Sequence, residues 1–325
     1  MKVALSLNPF RAAGGGSVSF ARVLADWLPG LGFEVTFDLR ERADLLLVFA
    51  QHGTPRLLER HRAAGARVLH RLDERIEPGE GRVLRPKHAR LARLNRHADL
   101  TVFQSEFVRG NVGPLCRAPA WRVIHNGVDP GVFSPEGPRA TLRGAPAVLH
   151  VSWSVGASKR LDRVAELLAA GPPGLHVTCM GRHAESRLPW LGDPRVTVLG
   201  PRPREEVAAG MRGADVLFFP SELEPCPNTP LEAMACGLPA LYHASGGTPE
   251  LLADAGVALG ASLGDDVRRL LDERAALRER GLARAPRFGA GRVAADYATV
   301  MREMAEMPAG APPSRLRRLW SLAGF

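Results

Sequence analysis

Short apolar runs alternate with amphipathic stretches along most of the chain, and the series runs through twice. No other feature constrains the fold as much. A strand that hands over to a helix is rejoined by its neighbour in parallel, through a right-handed crossover, so the pattern predicts a mainly parallel sheet covered by helices. In the first series the strand-like runs are 2–7, 34–37, 45–49, 67–69, 100–103 and 123–124, and helical spacing appears at 17–28, 55–64 and 90–97. A Gly14-Gly15-Gly16 turn separates the first strand from the first helix.

Residues 129–146, DPGVFSPEGPRATLRGAP, are dense in proline and glycine with little periodicity, as in an interdomain linker. A second series follows, with strands at 147–151, 175–180, 195–199, 215–219 and 240–242 and helices at 160–170, 205–211, 230–235 and 249–253. Helical patterns at 263–280 and 292–307 close it. The expected layout is α/β: two Rossmann-like doubly wound domains, 1–135 and 147–288, facing across a cleft at the carboxyl ends of their strands. The stretch 289–325 is expected to cross back to the first domain. A length of 325 residues suits two domains, and 45% hydrophobic residues suffice for two cores.

The formal net charge of +9 raises nucleic acid, anionic membranes and phosphorylated small molecules as partners. Its placement narrows the choice. Arg82, Arg85, Lys87, Arg90, Arg93 and Arg96, together with Arg315, Arg317 and Arg318, account for the whole excess, with no acid among them. The remainder is neutral and no aromatic residue interleaves the arginines of 82–97, which argues against nucleic acid. Leu84, Leu91 and Leu94 there, and Leu316, Leu319, Trp320, Leu322 and Phe325 in the tail, instead suit an anionic headgroup surface touched by 82–97 and 315–325. Cys116, Cys179, Cys226 and Cys236 form no C-x-x-C pair or zinc spacing, and neither a leader nor a membrane span is expected. The expected setting is cytoplasmic, peripheral to the inner membrane face if the basic stretches act as suggested.

The most specific text is 220–257, PSELEPCPNTPLEAMACGLPALYHASGGTPELLADAGV. Glu224 falls in a loop after a strand and Glu232 in the first turn of a helix, with Asn228 or Thr229 as cap and Pro230 in the first position. Amides at such a helix end attract a phosphate, and the two carboxylates can accept hydroxyls on either side of it. Here the sequence resembles the family-4 retaining glycosyltransferases of the GT-B fold. The resemblance rests on Glu224 and Glu232 as an E-x7-E pair, Gly237-Leu238-Pro239, and Gly246-Gly247-Thr248-Pro249-Glu250. It extends in order through the glycine turn, ADLTVFQSEF at 98–107, HNGVD at 125–129 and SKRLD at 158–162.

The resemblance implies a nucleotide-sugar donor, linked to UDP, GDP or TDP, and a glycan or lipid-linked acceptor held by the first domain. Glu224 then lies at the donor sugar and Glu232 at the ribose, while amides of Cys226, Asn228 and Thr229 face the sugar and diphosphate. Lys159 neutralises the departing diphosphate. Relatives often carry an arginine shortly before that lysine and a glycine after it, where this chain has Trp153 and Arg160; Arg160 is expected to replace the missing charge. Gly15 and Gly16 let the backbone approach the ligand, and His70 and Asp73 are the acceptor-side candidates. No metal or other cofactor is expected, because no His/Asp/Cys cluster has ligand spacing and fixed cations can carry the charge. Gly200-Pro201-Arg202-Pro203-Arg204 underlies the base and selects none. The rival reading, suggested by Trp153, is a catalytically silent GT-B protein that binds a sugar nucleotide or serves as a partner subunit.

Overall fold

The computed structural model describes residues 1–12, 15–76 and 85–307. Gly14, the arginine-rich stretch up to Leu84 and the tail 315–325 lie outside the described residues. The chain divides into two compact units, Met1–Gly127 joined by the segment from Ala290 onward, and Val128–Gly289.

The first unit begins β1 (Lys2–Leu5), α1 (Gly16–Trp27), β2 (Glu34–Thr36), β3 (Leu45–Phe49), α2 (Pro55–Ala63) and β4 (Arg67–Leu72). It continues α3 (Pro86–Asn95), β5 (Leu100–Phe103), α4 (Glu106–Val112) and β6 (Trp121–Val123). All six strands pair in parallel, in the order β2-β1-β3-β4-β5-β6. β3 reads LLLVF and every residue is buried, as a central parallel strand covered on both faces requires. Local chemistry fixes the helix starts: Thr54 caps α2, its hydroxyl accepting from the Leu57 amide, with Pro55 in the first turn. Ser105 caps α4 in the same way. In α3, Leu91 and Leu94 are fully buried, so the leucines expected to face a headgroup surface face the core instead. Among the described residues no helix is long and apolar enough to cross a membrane.

The second unit contains β7 (Ala147–Ser152), α5 (Arg163–Ala170), β8 (His176–Gly181), β9 (Val196–Gly200), α6 (Arg204–Gly213) and β10 (Val216–Phe219). α7 (Asn228–Ala235), β11 (Ala240–Tyr242), α8 (Thr248–Leu252), β12 (Gly256–Ala258), α9 (Leu263–Asp272) and α10 (Arg274–Arg284) complete it. Its parallel sheet runs β12-β11-β10-β7-β8-β9. The helix expected over 263–280 breaks at Glu273, whose φ of −88° and ψ of 3° leave the helical region. The final helix, α11 (Ala290–Glu306), belongs to the first unit, where Val293, Tyr297, Met301 and Met304 pack beside Phe20 and Leu24.

The segment 129–146, read above as a linker, is instead held inside the second unit. Phe133 is 2% exposed in its core, the Ala140 amide donates to Ala209 O at 2.9 Å, and Arg212 Nε donates to Pro138 O at 2.7 Å. Its prolines and glycines break periodicity while side chains from α6 satisfy its carbonyls, so it is irregular without being free.

Candidate active site

In an open parallel sheet, ligands bind beyond the carboxyl ends of the strands where the strand order reverses. In the second unit that point lies between β7 and β10. The loop after β7 carries Trp153, a short 3-10 turn at Ala157–Lys159 and then Arg160; the loop after β10 carries Glu222 and Glu224. A backbone bond ties the two loops, Glu222 N donating to Ser158 O at 2.8 Å. Across them Lys159 Nζ donates to Glu224 Oε1 at 2.6 Å, with the side chains 25% and 12% exposed.

The Glu224 loop is shaped by a third segment. Leu223 adopts φ 55°, a costly conformation for a leucine, and its amide donates to Ser245 Oγ at 2.8 Å. Gly247 N donates to Glu224 O at 2.7 Å. Gly246 sits at φ +67°, and a Cβ there would lie 2.4 Å from Glu224 O. Gly246 is therefore required by close approach, and with the Gly247 amide it holds the backbone at Glu224.

α7 starts at Asn228 with Pro227 at the cap and no side-chain capping bond. Two expectations change with it. Neither Asn228 nor Thr229 is the cap, and Glu232 is the fifth helical residue, past a first turn without acids. Pro230 remains in the first turn, where its missing N–H costs nothing. Glu232 is half-buried, and desolvation pushes its carboxyl up to about 7 against the opposing pull of Arg204. Cys226 is buried in the core, so its thiol is packing and only its backbone is left for a ligand.

Arg160 does not stand as a spare cation. At φ 46° its side chain turns onto Asp162, with Nη2 to Oδ2 at 3.0 Å, and onto Glu222, which accepts from Nη1. Asp162 first, and Glu222 with it, hold the guanidinium further towards its charged form and balance that charge. Trp153 is 51% exposed.

In the first unit Gly15 precedes α1 at φ +138°, a conformation glycine alone adopts readily. A Cβ at Gly15 or Gly16 would meet nothing within 4 Å, so the turn is open. His70 contradicts its acceptor-side reading. It is fully buried, with Nε2 2.8 Å from Ala50 O and Nδ1 3.1 Å from Asn95 Nδ2, and burial lowers it to about 4. Both ring nitrogens are spent on the core. Asp73 is held by Arg71 Nη1 at 2.7 Å and by the Ser17 hydroxyl at the start of α1.

Arg71 was missed by the sequence reading. It is 0% exposed, lies 4.1 Å over the Phe20 ring, and donates through Nη2 to Gln104 Oε1 at 2.9 Å and Asn126 Oδ1 at 2.7 Å. An arginine inside an otherwise apolar strand run was the signal. A second cluster, His150, Cys179 and His183, brings three possible metal ligands together in the second unit; Cys179 and His183 lie four residues apart, and His150 joins them from the neighbouring strand only through the fold.

Two parallel doubly wound sheets, one with paired charges at its switch point, define the GT-B class. Residues 149–274 match the family model "Glycosyl transferases group 1". The D-inositol 3-phosphate glycosyltransferase of Mycolicibacterium smegmatis is 32% identical over 225 residues, 60% of this chain and 50% of that protein. The Corynebacterium jeikeium protein of the same name is 34% identical over 182 residues, 47% of this chain and 43% of its own. The chain thus spans half or less of these relatives. In structure it is similar to sucrose-phosphate synthase from Thermosynechococcus elongatus (TM-score 0.77, 19% identity, 93% of this chain and 98% of that one). It is also similar to Anabaena Alr3699/HepE in complex with UDP and glucose (TM-score 0.72, 17% identity, 93% and 99%). Over residues 149–274 the chain is thus similar to the group 1 glycosyltransferases, and its fold is that of the GT-B structures.

Proposed function

We propose that this protein transfers a glycosyl group from a nucleoside-diphosphate sugar to a hydroxyl of a glycan or glycolipid acceptor recognised by the first unit, with retention of the anomeric configuration. The observation that carries the reading is the Lys159–Glu224 pair at the switch point of the second sheet. As the bond between the anomeric carbon and the β-phosphate oxygen breaks, positive charge develops on the sugar and negative charge on the diphosphate. Glu224 is suited to the first and Lys159, with the amide end of α7, to the second. In the front-face route the departing phosphate oxygen takes the acceptor proton as the acceptor oxygen bonds to the same face. Glu232, half-buried beyond the first turn of α7, is suited to the ribose hydroxyls. Charge compensation by fixed groups leaves no step that calls for a metal.

UDP is the first nucleotide to test, because Alr3699/HepE was solved with UDP and glucose. An acceptor already bearing a phosphate is the corresponding first trial on the other side, from the name of the mycobacterial relative. For contact with an anionic surface through 82–97 and 315–325, Leu91 and Leu94 contribute nothing, since they are core; the charges and the apolar residues of the tail support it.

Incubation with UDP-, GDP- and TDP-sugars is expected to release the diphosphate from one of them slowly without acceptor and faster with it. Binding without release from any donor would instead establish the silent protein, a reading that Trp153 and the neutralised Arg160 favour.

A further inference from the structure

Three side chains with no part in the donor site meet inside the second unit. His150 in β7 is the register partner of Cys179 in β8, so the two project to the same face of neighbouring strands. His183 follows β8 and brings its Nε2 to 2.6 Å from His150 Nδ1. One ligand atom from each of the three lies within 4.8 Å of the others, and all three residues are at most 2% exposed.

Such a trio is expensive in a hydrophobic layer. Its neighbours include Phe218, with ring centroids 6.1 Å from His150, and Trp190, 6.4 Å from His183. His150 Nδ1 and His183 Nε2 face each other at 2.6 Å with the Cys179 thiol in the same group, and a cation bound among them would give all three a partner at once.

We propose that His150, Cys179 and His183 bind a closed-shell d10 cation, Zn(II) or Cu(I), as a structural site of the second unit. Two imidazoles and a thiolate are the borderline-to-soft donor set these ions select. On binding, the Cys179 S–H bond breaks, its proton leaves to solvent and a sulfur–metal bond forms. The hydrogen bond between the imidazoles gives way to two nitrogen–metal bonds. Metal–nitrogen bonds of about 2.0 Å and a metal–sulfur bond of about 2.3 Å need only side-chain torsions to reach from this arrangement. With the thiolate, Cu(I) leaves the trio neutral and Zn(II) leaves one positive charge, and a buried cluster beside Phe218 and Trp190 is better matched by the former.

The test uses the full chain purified from zinc- or copper-supplemented medium, and Co(II) as a spectroscopic probe. Expected are about one retained ion per chain, a thermal midpoint that falls on chelation, and a thiolate-to-cobalt charge-transfer band in the Co(II) protein. Cys179→Val and His150→Phe, which fit the apolar surroundings, lose the ion and the band; the arm that retains metal identifies which ion is held. The proposal is overturned by wild-type protein that retains no ion and shows no band, or by ion retention undiminished in either folded variant. Should neither variant fold, a chain with Cys116, Cys226 and Cys236 replaced by alanine decides: a retained band assigns the sulfur to Cys179, and its loss from the folded protein overturns the proposal.

Discussion

Lys159 Nζ lies 2.6 Å from Glu224 Oε1, joining the loops that follow β7 and β10. A pair that is one-eighth to one-quarter exposed adds about 1 kcal/mol or less to stability, and under the proposed function it holds two opposite charges beside the glycosyl–phosphate bond. Lys159→Ala and Glu224→Gln are each expected to lower kcat for the active donor by roughly 10²–10³-fold while the thermal midpoint moves little. Retained turnover in Glu224→Gln would remove the residue from the role assigned to it.

Glu232 predicts a pH dependence. Its carboxyl is raised from 4.5 to about 7 by desolvation, so between those values the folded protein holds a proton that the unfolded chain has released. The contribution to stability is therefore full below about pH 4.5 and is lost as pH rises through about 7. Glu232→Gln should gain thermal midpoint over wild type as the buffer moves from about pH 5 to about pH 8. A constant difference across that range would contradict the carboxyl's assigned environment.

His70 behaves in the opposite sense. With its value lowered to about 4, the unfolded chain binds the proton first, so stability present above about pH 6.5 is lost as pH falls towards 4. His70→Ala should cost roughly 1–3 kcal/mol in urea unfolding, because Ala50 O and Asn95 lose a buried partner. Turnover per folded molecule should stay within a few-fold; a large fall in kcat without a stability loss would restore a catalytic part for this histidine.

Arg71 is expected to be intolerant even of lysine. A planar fork serves Asp73, Gln104 and Asn126 at once, and an ammonium cannot reproduce it. Arg71→Leu leaves Asp73 with the Ser17 hydroxyl alone, and should destabilise the protein by about 3–5 kcal/mol in denaturant titrations.

The glycines separate structural from ligand roles. Gly246→Ala places a methyl 2.4 Å from Glu224 O at a φ of +67° and should reduce both stability and turnover. Gly16→Ala meets nothing within 4 Å and has no positive φ, so the fold should be unchanged. Lost activity in Gly16→Ala, with an unchanged circular dichroism spectrum, would show that this turn touches a ligand.

Periodicity carried the positions of most strands and helices and the motif carried the spacing of Glu224 and Glu232, because both are local properties of the chain. It could not show that Glu222, 62 residues away, would neutralise Arg160, or that His70 would spend both nitrogens on Ala50 and Asn95. The 129–146 segment has the composition of a linker, yet Arg212 reaches back from α6 to bind its carbonyls. Glu232 lies deeper in α7 than expected because the helix begins two residues before Pro230. In each case the residue type was legible and its partner was not, since partners arrive through the sheet from distant sequence.

The first unit is built from both ends of the described chain, with the second threaded into it between Gly127 and Ala290. The inserted piece begins and ends side by side, Val128 N donating to Phe288 O at 2.8 Å. During synthesis the ribosome delivers 128–289 whole before Tyr297 and Met301 can reach Phe20. The later-encoded unit can thus mature first, while the earlier one waits with part of its apolar interior uncovered until the last helix emerges.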